Sequence, residues 1–189
     1  FYVEEDSRAM GIRVEKAAHG LAMGMRADVV GTMKTNTARE RYILATSAVQ
    51  NGEGSVEPVG MTNLSVGGED WHVEGTRGQK GVSGAMGLNN IGLLVRAWGT
   101  FEQLDPTTFT VDDGSGPIRC SVRAGTVLDV TWRYVTVTGI SSVWKMSSSL
   151  FPPVVLVHDI NAFSEPPSGE MIYIPAGSFL MGNNGSEPL

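Results

Sequence analysis

Phe109-Thr110-Val111-Asp112-Asp113-Gly114-Ser115-Gly116, then Ile118-Arg119-Cys120-Ser121-Val122, then Tyr134-Val135-Thr136-Val137-Thr138-Gly139, repeats an earlier passage in altered form. The earlier passage is Phe1-Tyr2-Val3-Glu4-Glu5-Asp6-Ser7, Gly11-Ile12-Arg13-Val14-Glu15 and Ala27-Asp28-Val29-Val30-Gly31. The chain therefore reads as a tandem repeat. A strong strand, Leu93-Leu94-Val95-Arg96-Ala97-Trp98-Gly99-Thr100, precedes the second copy, whereas the first copy begins directly at Phe1. The first copy is expected to lack its opening strand, as a processed or excised piece of a longer product would.

Alternation and turn residues place the second copy's strands at roughly 93–104, 107–113, 117–123, 132–146 and 153–162. They place the first copy's at 1–5, 11–15, 26–35 and 40–48. Val154-Val155-Leu156-Val157 is continuously apolar, as a strand covered on both faces would be. The fold class expected is all-β: two small Greek-key barrels, the first incomplete. The organisation is an incomplete barrel over 1–50, a glycine-rich ordered connector over 51–92, a complete barrel over 93–163, a linker over 164–170 and a tail strand over 171–189. The connector holds eleven glycines and is expected to be irregular, which in a segment of that length signals function or an interface.

Composition narrows the function. The chain has 189 residues, 41% of them hydrophobic, and 24 glycines, so it is globular and turn-rich. With 14 Lys+Arg against 20 Asp+Glu the net charge is -6, which opposes unspecific attraction to a polyanion. No apolar run approaches the roughly 18–20 residues of a membrane helix, so no membrane span is expected. Cys120 has no disulfide partner and sits on an alternating strand, as a small core residue does.

No residue pattern predicts catalysis, a metal or a cofactor. His19, His72 and His158 stand far apart, with no ligand-like spacing. The acidic pairs at Glu4-Glu5-Asp6 and Asp112-Asp113 occupy equivalent places in the repeat, so turn chemistry explains them before calcium does. Gly81-Val82-Ser83-Gly84-Ala85-Met86-Gly87 lacks the lysine and the long helix of a phosphate loop.

Five short strands with a connection between the third and fourth make an OB-type barrel the most economical architecture. Leu88-Asn89-Asn90-Ile91-Gly92-Leu93-Leu94-Val95-Arg96-Ala97-Trp98-Gly99, with the Phe109–Gly116 and Val135–Ile140 stretches, resembles the OB-fold repeats of large multidomain bacterial surface or secreted proteins. Residues 1–50 carry a weaker version. An OB face commonly binds oligonucleotides or glycans, and Trp98, Phe101, Phe109, Arg119, Trp132 and Tyr134 are the candidates for it. Core packing also wants aromatics at those alternating positions, and it is the favoured explanation. The tail Met171-Ile172-Tyr173-Ile174-Pro175-Ala176-Gly177-Ser178-Phe179-Leu180-Met181-Gly182 resembles the opening strand of the sulfatase-modifying-factor, or formylglycine-generating-enzyme, domain. That family's activity resides in later cysteines, so no catalytic residue carries over.

The expectation is a non-enzymatic subunit of an extracellular or cell-surface filament. The donor strand, with Met171, Ile172, Tyr173, Ile174, Phe179 and Leu180, fills the incomplete barrel of a neighbouring copy, making a head-to-tail homopolymer. The acceptor residues are Phe1, Val3, Ile12, Val14, Val29 and Ile43. Three or four large apolar side chains buried at roughly 1.5–3 kcal/mol each would supply the association energy. Pro175 has no N–H for a ladder and needs a bulge, an end or an edge. The alternatives are an OB-type oligonucleotide- or glycan-binding module, a tail that closes its own barrel, and a first strand supplied by upstream chain.

Overall fold

The computed structural model describes residues 1–74 and 77–164. The strands are β1 (Tyr2–Glu4), β2 (Gly11–Glu15), β3 (Met25–Thr35), β4 (Arg41–Glu53), β5 (Val59–Gly60), β6 (Leu94–Asp105), β7 (Thr108–Asp112), β8 (Pro117–Ser121), β9 (Tyr134–Val143) and β10 (Pro153–Phe163). Among the described residues there is no α-helix, only a 3-10 turn at Asn63–Ser65, and the fold is all-β. The expected donor residues Met171, Ile172, Tyr173, Ile174, Phe179 and Leu180 lie outside the described residues.

β6 through β10 pair in a ring. β6 is long enough to serve two partners: Thr100 to Asp105 pair with β7, and Leu94 to Thr100 pair with β9. The order runs β6-β7-β8-β10-β9 and returns to β6, with β8 and β10 parallel and the other pairs antiparallel. Alternating residues point inward, so Val95, Ala97, Phe109, Val111, Ile118, Cys120, Val135, Val137 and Val155 form one apolar core. The connector closes one side of it: Val66 packs into the core, while Asn63 Nδ2 donates to the carbonyls of Val111 and Gly116 at 2.8 and 3.1 Å.

The connector is more regular than its glycine content suggests. β4 runs on to Glu53, five residues past its expected end, and β5 adds in parallel to β6 at Val59↔Val95. Its glycines permit close backbone approach: a Cβ on Gly68 would stand 2.0 Å from the Leu88 carbonyl oxygen.

β1 to β4 form a second sheet in the order β1-β2-β4-β3, with β2 and β4 parallel. This is the ring's order β7-β8-β10-β9 without a counterpart of β6. The registers coincide residue by residue. Val3↔Ile12 matches Val111↔Ile118, and Val14↔Ile43 matches Cys120↔Val155. Both sheets slip register at the same place, beside Ala45/Ser47 and beside Val157/Asp159. A glycine faces each slip: a Cβ on Gly31 would stand 2.4 Å from the Leu44 oxygen, and one on Gly139 would stand 2.4 Å from the Leu156 oxygen. No strand among the described residues pairs with the outer edge of β1 or of β3.

Candidate functional site

The registers put Phe1, Val3, Ile12, Val14, Val29 and Ile43 on one face of the four-stranded sheet, because partners across a ladder share a face. Their counterparts in the ring are Phe109, Val111, Ile118, Cys120, Val137 and Val155, and all six are at most 2% exposed. In the open sheet only Val14 reaches that burial, at 1%; the other five are half-buried. The edge strand β3 carries Val30 at 63% and Met33 at 45% exposure. Between the two free edges lies a cavity of about 390 Å³, lined by Val3, Ile12, Ala27 and Met33 from the sheet and by Trp71, Ile91 and Leu93 beyond it.

Several contacts fix the open sheet against the ring. The Leu94 N–H donates to Glu4 Oε2 at 2.8 Å, and Arg8 bridges the Glu4 carboxylate and the Leu94 carbonyl, at 3.1 Å each. Gly11 and Gly92 touch backbone to backbone: a Cβ on Gly11 would stand 2.1 Å from the Gly92 oxygen. The connector joins in, with Gln79 Oε1 accepting from the Arg41 N–H at 2.7 Å.

Glu40 is the centre of this junction. It is 2% exposed and accepts from Tyr2 OH at 2.8 Å, Ser142 Oγ at 3.1 Å and Asn36 Nδ2 at 3.1 Å, with an Arg13 guanidinium nitrogen 3.5 Å away. Burial first, and then the neighbouring Glu40, pushes the Tyr2 hydroxyl well above its usual range, so Tyr2 remains a donor. Sequence reasoning placed Glu40 at the start of the 40–48 strand but gave it no role, because a glutamate between Arg39 and Arg41 carries no local sign of burial. Its one available signal was its place immediately before a strand whose counterpart follows Phe151-Pro152.

The six aromatic-face candidates divide. Phe109 is 0% exposed and offers no face to a ligand; Phe101 packs on it at 5.1 Å between ring centroids and on Trp132 at 5.4 Å. Tyr134 is half-buried, and Trp98, at 56% exposure, stands out from the ring. Arg119 lies over the Trp144 ring at 4.3 Å and donates to Thr108 Oγ1 at 3.0 Å. These side chains do not gather into one stacking platform.

The remaining polar groups serve turns. Asp112 accepts from the N–H groups of Gly114 and Gly116, and Asp113 from Ser115 and the Asn63 N–H. Burial alone would raise Asp113, but the Ser115 hydroxyl and these N–H groups outweigh it and hold its carboxyl below the usual range. Cys120 is buried in the ring's core, and that burial pushes its thiol far above its ordinary value. Among the described residues no group of three His, Cys, Asp or Glu side chains could hold a metal ion, and no helix is long and apolar enough to cross a membrane.

The class these features define is an all-β protein of two sheets, one of four strands and one of six. No protein-family model matches the chain, and the curated proteins yield no match either.

Proposed function

We propose that this chain is a non-enzymatic structural subunit of OB-type barrels that polymerises head-to-tail into an extracellular filament. The tail strand of one copy fills the groove between β1 and β3 of the next. One observation carries this reading: six positions that are at most 2% exposed in the closed ring are, in the open sheet, half-buried at all but Val14. The missing cover is a strand's worth of apolar contact, and the free edges supply the hydrogen-bonding groups to hold it.

Placement favours a neighbouring copy over self-closure. The open sheet docks at one end of the ring, where Leu94 and Ser142 lie and where Arg39 sits 3.9 Å over the Phe151 ring. β10 starts beside Phe151 and ends at Phe163, opposite Tyr134, ten residue steps or about 33 Å of strand further on. From Phe163 to Ile172 the chain has nine residue steps, at most about 32 Å when fully extended, so self-closure would need that stretch drawn out to its limit. The end of the described chain, at Phe163, and the acceptor groove thus lie at opposite ends of the ring, and a heterologous contact between copies propagates without closing.

The test compares the intact chain with a chain ending at Ser168, by electron microscopy and size analysis. Filaments that disappear on truncation support the reading. Monomers in both preparations, with salt-sensitive retention on single-stranded nucleic acid or a glycan matrix, would replace it with a binding module.

A further inference from the structure

The ring is a template for how the groove is filled. Since β6 lies antiparallel to both β7 and β9, the strand that completes the open sheet must lie antiparallel to both β1 and β3. The matched registers then locate each of its residues. The residue in the place of Val95 faces Gly31, that in the place of Ala97 faces Val29, and that in the place of Phe101 faces Val3.

Two positions are restrictive. The first is Gly99, where β6 changes partners: a Cβ there would stand 2.3 Å from both the backbone carbon and the oxygen of Asp112. A donor needs glycine at that place, and an aromatic two residues on would repeat Phe101. Gly177-Ser178-Phe179 supplies that pattern, matching Gly99-Thr100-Phe101.

The second restriction concerns proline. The Leu93 carbonyl accepts from the Ser141 N–H of β9, whereas the Arg96 carbonyl accepts from the Met61 N–H on the opposite side. By alternation, the N–H groups at 95 and 97 turn toward β9, and those at 96 and 98 turn away. With Gly177 in the place of Gly99, an unbroken ladder would put Pro175 in the place of Ala97, where an N–H is required. One extra residue removes the conflict. A bulge at Pro175-Ala176, both occupying the place of Trp98, keeps the proline nitrogen turned away and moves Ile174 to the place of Ala97 and Ile172 to that of Val95.

Resting on the strand-donation reading, we propose that the tail enters a second copy in this single bulged register. Ile172, Ile174 and Phe179 point inward against Gly31, Val29 and Val3, and Gly177 is the residue that fixes the register. Gly177 is thus a specificity determinant, since valine there would collide with the end of β1 while valine at Ala176 would lie outside the sheet.

Paired cysteines in the intact chain test the register. The ring pair Phe101↔Val111 turns its N–H groups away from the shared ladder, as the Phe101 N–H bond to the Arg133 carbonyl shows, and such pairs bring Cβ atoms closest. Val3→Cys with Phe179→Cys should give ladders of disulfide-linked multimers on oxidation, while buried Cys120 stays out of the reaction. Val29→Cys with Ile174→Cys should do so more slowly, because it takes the place of the hydrogen-bonded pair Ala97↔Val137, about 5.5 Å between Cα atoms and still within disulfide reach. Gly177→Val should lower the polymerised mass at least tenfold, with Ala176→Val unchanged. Linkage of Val3→Cys to Leu180→Cys with Val29→Cys to Ala176→Cys overturns the bulged register but leaves strand donation standing. So does linkage of Val29→Cys to Pro175→Cys. If none of these pairs links and the chain ending at Ser168 polymerises like the intact one, both the register and strand donation fall.

Discussion

Ser142 donates from β9 of the ring to the buried Glu40 of the open sheet at 3.1 Å, and Tyr2 donates to the same carboxyl oxygen at 2.8 Å. The two sheets are therefore joined by a shared polar centre as well as by apolar contact. Glu40→Ala removes the acceptor shared by the Tyr2 and Ser142 hydroxyls, leaving them only each other at 3.3 Å, and should cost about 1–3 kcal/mol. Glu40→Gln keeps an acceptor oxygen and should cost less. Urea denaturation of the chain ending at Ser168 measures both; an alanine variant as stable as the parent would show that the junction contributes nothing.

Gly31 and Gly139 stand at equivalent slips of register, each facing a carbonyl oxygen 2.4 Å from where a Cβ would be. Gly139→Ala must displace β10, which is paired on both edges, and should lose about 1–3 kcal/mol. Gly31→Ala pushes against β4, whose neighbour β3 has a free outer edge, so it should cost less. Equal losses at the two sites would mean that the open sheet is as constrained as the ring.

The repeat in Phe109–Gly116 and Phe1–Ser7 made the all-β class legible, because turn chemistry and alternation are local properties. The shared register, down to the glycines at 31 and 139, follows the same local pattern. The junction was not legible. Gly11 and Gly92 lie far apart in sequence, and their backbone contact excludes a side chain at both, with the positive φ of 95° at Gly92 as a second reason there. Glu40 sits between two arginines, and its burial comes from Tyr2 and Ser142, which no local window contains. The aromatic candidates failed to converge for a related reason: alternation tells two faces apart but does not say which face a ring closes over, and Phe109 took the inner one.

Phe109 and Trp98 separate core from surface. Phe109→Ala removes a fully buried ring that packs against Phe101 and should destabilise by about 3–5 kcal/mol. Trp98→Ala should change stability by no more than about 0.5 kcal/mol. Thermal melts decide both, and a large loss at Trp98 would mean that its exposed ring is covered in solution.

Acid should weaken the fold through its turns. The Thr108 hydroxyl, followed by the Thr107 N–H at 2.8 Å, holds the Asp105 carboxyl down at about 2. Asp105 is thus depressed below the ordinary aspartate value of about 3.9 that it has when unfolded. Its contribution is full above about pH 4 and is lost as pH falls through about 2. Asp70, Asp113 and Asp129 are shifted in the same direction. Urea midpoints should fall between pH 4 and pH 2, and Asp105→Asn should flatten that decline while leaving some of it. An unchanged slope in the variant would remove Asp105 from the account.

A synthetic peptide of residues 170–182 should bind the chain ending at Ser168, because the groove between β1 and β3 offers an apolar lining and two free ladders. Binding only to the folded state stabilises by mass action, about 2.7 kcal/mol at a hundredfold excess over Kd. The melting temperature should therefore rise with peptide concentration, and fluorescence of an apolar dye bound to the truncated chain should fall in parallel. A peptide with Ile172→Asp and Ile174→Asp should do neither, since it would bring two charges onto the face that carries Val3, Ile12 and Val29. Val3→Asp in the acceptor should abolish the response to the unaltered peptide at little cost in stability, because Val3 is only half-buried until the strand arrives. A melting temperature that ignores the unaltered peptide at every concentration would mean that the groove is not a receptor for this strand.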